Sequence, residues 1–145
     1  MKRFAAVFIA LFWTLTPAWA ADTIGYVKTA SGKAEVIDAG KAVSARVGTP
    51  IQMGNLLKTG PDGSLGITFR DNTVMSFGPD TELTVDEYLY EPGKDRLKFG
   101  TSMTKGSLQV FSGVIAKLKP QAVQMKTPAA VIGCRGTRFL VKVEP

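Results

Sequence analysis

The chain contains no histidine and a single cysteine, Cys134, among its 145 residues. Without an imidazole there is no Ser-His-Asp triad, and the common zinc ligand sets cannot be assembled. One cysteine cannot close an internal disulfide, so the core alone must hold the fold, even in an oxidising compartment. Tryptophan is confined to Trp13 and Trp19. Beyond residue 20 no apolar run approaches the ~20 residues of a spanning helix, and helical periodicity is nearly absent. Glycine is abundant: all 15 glycines lie after residue 20, with seven of the eight prolines. Such a composition points to many turns and short strands.

The first twenty residues read as an export signal, not as part of the fold. Lys2 and Arg3 precede an uncharged apolar run from Phe4 to Leu15, and Ala18-Trp19-Ala20 supplies the small residues a signal peptidase reads. Cleavage is expected before Ala21, leaving one domain over residues 21–145, large enough for a core of its own. The exported protein should then begin at Ala21, lack tryptophan, and emit like tyrosine from Tyr26, Tyr88 and Tyr90. Tryptophan fluorescence from protein purified out of the cell envelope would refute this processing.

Period-two alternation recurs along the rest of the chain. In Ser64 to Arg70 the apolar residues Leu65, Ile67 and Phe69 share one face. Asp71-Asn72 then signals a turn. A two-residue loop sets Phe69 against Val74, whereas a three-residue loop over Asp71 to Thr73 sets Phe69 against Met75 and Ile67 against Phe77. Only the longer loop keeps apolar beside apolar, so a three-residue loop with a bulge is expected. Strands are also read at Ile24 to Lys28, Lys33 to Ile37 and Asn55 to Thr59. Another spans Glu82 to Tyr90, where a phase change at Asp86-Glu87 requires a bulge. Leu97 to Met103 and Ser107 to Phe111 flank Lys105-Gly106, which reads as a hairpin with Met103 opposite Leu108. In the last strand Phe139, Val141 and Val143 share one face, Arg138 and Lys142 the other. Gly113 to Lys119 is the only candidate helix, stopped by Pro120. The fold class expected is all-β, a single domain of short, mostly antiparallel strands in a sandwich or a β-solenoid-like roll. The recurrence of Gly60-Pro61-Asp62 as Gly78-Pro79-Asp80 suits turns in either.

Charge is uneven. Gly78 to Asp95 holds six acidic residues against Lys94, while Ile115 to Pro145 holds six basic residues against Glu144. The acidic segment offers Asp80, Glu82, Asp86 and Glu87 as carboxylates for glycoside hydrolysis. Neighbours on a strand point to opposite faces, however, and an acidic edge that discourages aggregation is the simpler reading. The basic segment reads as a solvated face or, through Arg138 and Lys142, as a surface for anionic envelope components. Its aromatics do not interleave with its basic residues, so nucleic acid is not an expected partner.

The densest motif is Thr127-Pro128-Ala129-Ala130-Val131-Ile132-Gly133-Cys134-Arg135-Gly136-Thr137. Pro128 holds Thr127 extended, and Gly133 and Gly136 bracket Cys134-Arg135 so that the backbone can turn with positive φ on either side. Arg135 is then either a donor to backbone carbonyls left unpaired by the bend or an anion receptor. Cys134 reads as a small buried hydrophobe, with a reactive thiol as the alternative. The motif resembles the hallmark of the FecR domain, Thr-Pro-x-Ala-x-x-Gly-x-Arg-Gly-Thr. Upstream segments resemble other parts of that pattern: Gly32-Lys33-Ala34, Gly54-Asn55-Leu56-Leu57-Lys58-Thr59-Gly60 (with Asn55 where Asp is usual), Phe69-Arg70-Asp71-Asn72-Thr73, and Lys105-Gly106-Ser107-Leu108. The resemblance implies an all-β periplasmic or extracellular domain that acts as a receptor or interaction module, without catalysis and without a cofactor. The chain looks like a stand-alone exported form, whose partner would be an envelope protein. The alternatives kept open are binding of an anionic glycan or lipopolysaccharide through the basic face and, behind that, a carboxylate glycosidase. A last edge completed by another molecule is one expected consequence of the short C-terminal stretch.

Overall fold

The computed structural model describes residues 22–133 and 136–144. Twelve strands run β1 (Thr23–Ser31), β2 (Ala34–Asp38), β3 (Lys41–Ser44), β4 (Pro50–Gln52), β5 (Leu56–Thr59), β6 (Ser64–Phe69), β7 (Val74–Phe77), β8 (Glu82–Glu91), β9 (Arg96–Phe111), β10 (Val123–Lys126), β11 (Val131–Gly133) and β12 (Arg138–Val143). Strand accounts for 61% of the described residues. The one α-helix among them, α1 (Val114–Leu118), falls where the sequence placed it.

All strands belong to one curled sheet ordered β3-β2-β5-β8-β9-β7-β6-β1-β4, with β10 and β12 added along β9 and β11 added to β10. Every pairing is antiparallel except that of β10 with β9. The sheet curls around one core to which both of its halves contribute, with Val27, Ile51, Leu57, Ile67, Leu83, Val85 and Ile115 fully buried. Phe69, Tyr88 and Phe99 form an aromatic triangle inside it, with ring centroids 4.8 to 5.6 Å apart. Such contacts add to the area that burial removes from water.

The structure corrects the expected hairpin at Lys105-Gly106. No reversal occurs there: β9 runs through both residues as one 16-residue strand. Its first part pairs with β8, setting Met103 beside Leu83, and its second with β7 and β12, setting Leu108 beside Phe77 and Val141. Gly106 marks the point where the strand passes from one half of the sheet to the other. Its φ is +103°, and a Cβ there would meet the Cα of Thr81 at 2.3 Å. The glycine serves a close approach within a strand, not a turn.

A second correction concerns the hairpin after Phe69. Leu65 pairs with Phe77 and Ile67 with Met75, while Phe69 N donates to Thr73 O at 2.9 Å. The loop has three residues and keeps apolar beside apolar, as expected, but it comprises Arg70 to Asn72. Asn72 takes the left-handed conformation at φ 68°, which closes a three-residue hairpin. The bulge expected at Asp86-Glu87 is present: the register shifts between Val85, opposite Thr101, and Glu87, opposite Gly100.

Candidate functional site

The buried polar residues of the motifs, Asn55, Thr59, Asp71 and Thr73, gather at two nodes. The first surrounds Asp71, which is fully buried. Its Oδ1 accepts from the Tyr88 hydroxyl at 3.0 Å and from Thr73 N at 3.3 Å. Its Oδ2 accepts from the Thr73 hydroxyl at 2.8 Å and from Ile115 N at 3.2 Å. Asp71 N donates to the Tyr88 oxygen at 3.0 Å, and its carbonyl accepts from Val114 N at 2.8 Å. One residue thus closes the β6–β7 loop, anchors β8, and receives two N–H groups from the start of α1, one at its carboxylate and one at its carbonyl. Gly113 must lack a side chain, because a Cβ there would lie 2.4 Å from Thr73 N and 2.5 Å from Asp71 O.

The second node lies where β9 changes partners. The Thr59 hydroxyl donates to Gly78 O at 2.6 Å and accepts from Thr81 N at 3.0 Å. The Thr81 oxygen accepts from Ser107 N at 3.0 Å and donates toward Gly78 O at 2.9 Å. The two Gly-Pro-Asp turns also meet here, Asp80 N donating to Gly60 O at 3.0 Å. Asn55, in the same segment as Thr59, is buried. Its Oδ1 accepts from Gln52 N at 2.8 Å, while Nδ2 finds no partner. The oxygen supplies the turn contact that an aspartate in this position would also make.

Burial, and after it the neighbouring Asp71 carboxylate, push the Tyr88 hydroxyl far above its ordinary range. A phenol whose folded pKa exceeds its unfolded value near 10 adds stability that is complete below pH 10 and is lost as pH rises beyond it. Wild-type stability should therefore fall above pH 10 with an extra slope approaching ~1.4 kcal/mol per pH unit. Tyr88→Phe should remove that slope while costing about 1–2 kcal/mol at neutral pH. Urea midpoints for both proteins between pH 8 and 11 check this; parallel curves would refute it.

Thr127 and Pro128 build the turn between β10 and β11. Thr127 N donates to Ala130 O at 2.8 Å, and the Thr127 hydroxyl donates to Ala130 O at 3.0 Å and accepts from Ala130 N at 3.1 Å. The expected pair of positive-φ glycines is only half present. Gly136 has φ +104°, but Gly133 ends β11 in extended conformation opposite Gln124, because the strand ladder holds it. Gly136 and Thr137 are tied to the end of β9: the Ser112 hydroxyl donates to Gly136 O at 2.8 Å and Ser112 N to Thr137 O at 2.9 Å. Arg135 and Cys134 lie outside the described residues.

Arg138 and Lys142 share the exposed face of β12, as expected. Arg138 makes further contacts. The Arg138 guanidinium sits 5.7 Å from the centroid of the Phe111 ring. With the Gln109 amide oriented so that its oxygen faces β12, that oxygen accepts from Arg138 Nε at 2.8 Å. Lys142 pairs with Glu144 at 3.6 Å. On the same outer face Tyr26, Phe111 and Leu140 are exposed, Leu140 by 72%.

The acidic residues are dispersed. Glu82 lies 3.4 Å from Lys58 and 3.9 Å from Lys105, and Asp86 accepts from the Ser102 hydroxyl. Asp86 and Glu87 line a notch of about 120 Å³ beside Lys126, whereas Asp80 lines a different depression beside Lys105 and Lys142. Among the described residues no cluster of three or more acidic or sulfur ligands is positioned to hold a metal, and no helix is long and apolar enough to cross a membrane.

Comparison with known proteins adds a family. The family model described as FecR protein matches residues 55–145, a span that contains both nodes and the Thr-Pro to Gly-Thr motif. No curated protein and no solved structure matches the chain. Residues of the two nodes, Thr59, Asp71, Thr73 and Ser107, help fix the curled sheet, and the chain belongs to the FecR family.

Proposed function

We propose that the protein is an exported, non-catalytic binding domain of the cell envelope that works by engaging another protein. Membership of the FecR family, whose domains are regulatory and generally non-enzymatic, carries this reading. Two features support it. The buried motif residues leave no unused polar group at Asp71, whose four carboxylate contacts are all made within the domain. The exposed apolar and aromatic residues Tyr26, Phe111 and Leu140 instead share one open sheet face, a composition suited to protein contact. The signal-like first twenty residues support export.

Photo-crosslinking from Tyr26, Phe111 and Leu140 in intact cells tests the proposal. A discrete protein adduct, absent when the photoreactive group is moved to Asp38 on the other half of the sheet, is the expected result. Labelling of lipopolysaccharide in place of protein, abolished by Lys142→Gln, would establish the anionic-glycan reading instead. Uniform labelling at every position would overturn both.

A further inference from the structure

We infer that β12 is a self-pairing edge: two copies of this chain join through antiparallel β12 strands, in the register that sets Arg138 of each copy opposite Glu144 of the other. This edge adjoins the face proposed above, sharing Leu140 with it, but the inference rests on the pairing of β12 and does not depend on that contact.

Four strands have a single partner among the described residues: β3, β4, β11 and β12. Three of them are short edges of four, three and three residues, and two of those carry Lys41 or Pro50. Short strands, lysine and proline are the usual means of keeping an edge from pairing. β12 is longer, with six residues, and presents a regular alternation. Its inner side is of core quality yet incompletely covered. Val141 is buried against the core, while Phe139 and Val143, two positions either side of it, are only half-buried. An adjoining strand that laid apolar side chains beside Phe139 and Val143 would complete that layer.

The sequence of β12 supplies such a strand and selects its register. Opposed residues in an antiparallel pair point to the same side, so inner residues must meet inner residues. With Val141 opposite its own copy, Phe139 faces Val143, Leu140 faces Lys142, and Arg138 faces Glu144. Both inner positions are then covered, and two oppositely charged pairs form on the outer side. Shifting toward the start of the strand sets Leu140 against itself and Arg138 against Lys142. Shifting toward its end sets Lys142 against itself. Both alternatives place like charges directly opposite, which is destabilising. The intrachain pair of Lys142 with Glu144, at 3.6 Å and largely exposed, is weak enough to exchange for the intermolecular one.

Sedimentation velocity in reducing buffer, where Cys134 cannot link two copies, should show a concentration-dependent dimer. Glu144→Arg makes both charge pairs repulsive and should weaken dimerisation by roughly tenfold or more, without changing the far-ultraviolet dichroism. The charge-swapped Arg138→Glu/Glu144→Arg protein should regain most of the lost affinity. Because Arg138 also contacts Phe111, disulfide trapping gives a second readout that leaves it in place. In a Cys134→Ser background, Leu140→Cys chains mixed with Lys142→Cys chains should crosslink to each other faster than either crosslinks to itself. A monomer at all concentrations overturns the inference and leaves the edge to a strand of another protein. A dimer indifferent to Glu144→Arg, or cysteine pairs without the expected preference, overturns the register.

Discussion

Asp71→Ala is expected to lower stability by about 3–5 kcal/mol, among the largest single losses available to this domain. Removing the carboxylate strands four buried donors at once, the Tyr88 and Thr73 hydroxyls and the Thr73 and Ile115 N–H groups, which now bond to it at 2.8 to 3.3 Å. Each unpaired buried group costs about 1–3 kcal/mol, and the total falls short of the sum because water and relaxation recover part of it. The losses should be graded. Asp71→Asn keeps the volume but turns an amide N–H₂ toward donors, so it should retain little of the stabilisation. Thr73→Ala removes only one partner and should cost about 1–2 kcal/mol. Urea unfolding of the three variants checks the order. Equal, small effects across the series would show that Asp71 is an ordinary turn residue.

Much of the fold was legible because alternation is a local signal. The inward set Leu65, Ile67 and Phe69, the bulge at Asp86, and the two faces of β12 all follow from a period of two, and the structure reproduces each. What escaped depends on long-range pairing. Nothing local distinguishes a Lys-Gly turn from a Lys-Gly kink within a strand. The difference at Gly106 is made by Thr81, whose hydroxyl oxygen accepts from Ser107 N across 26 residues. The hairpin register slipped for a related reason. Asp71 reads as a turn residue, yet its carboxylate is consumed by Tyr88 and α1, far away in sequence. A local clue did exist: Asp followed two residues later by Thr is the spacing at which the side chain bonds the backbone ahead of it, as Thr73 N shows.

This division bears on function. Family signatures are commonly searched for binding residues, but here Thr59, Asp71, Thr73, Gly106 and Thr127 are all occupied by contacts that shape the backbone. The binding proposed above would therefore draw on positions outside these five, such as Tyr26, Phe111 and Leu140, where the sheet presents exposed side chains.

Gly106→Ala is expected to cost about 3–5 kcal/mol, against about 1 kcal/mol for Gly40→Ala, although both glycines have positive φ. Gly40 has φ +82°, and nothing lies within 4 Å of the place a Cβ would take, so a methyl group there meets only the intrinsic cost of the left-handed region. At Gly106 the same conformational cost applies, and the added carbon would lie 2.2 Å from the Thr81 hydroxyl and 2.3 Å from its Cα. A rotamer change could move the hydroxyl, but the Cα belongs to a backbone whose N–H and carbonyl are both held by Thr59, so the strand itself must shift. Because β9 passes between the two halves of the sheet at this residue, that shift separates β8 from β7. Thermal unfolding followed by dichroism should show Gly40→Ala close to wild type and Gly106→Ala strongly destabilised. A double variant with Thr81→Gly should recover little of the loss, since the Cα of residue 81 stays in place and the Thr81 hydroxyl contacts to Gly78 and Ser107 are gone. Equal effects at the two glycines would mean that the approach of Thr81 does not constrain β9.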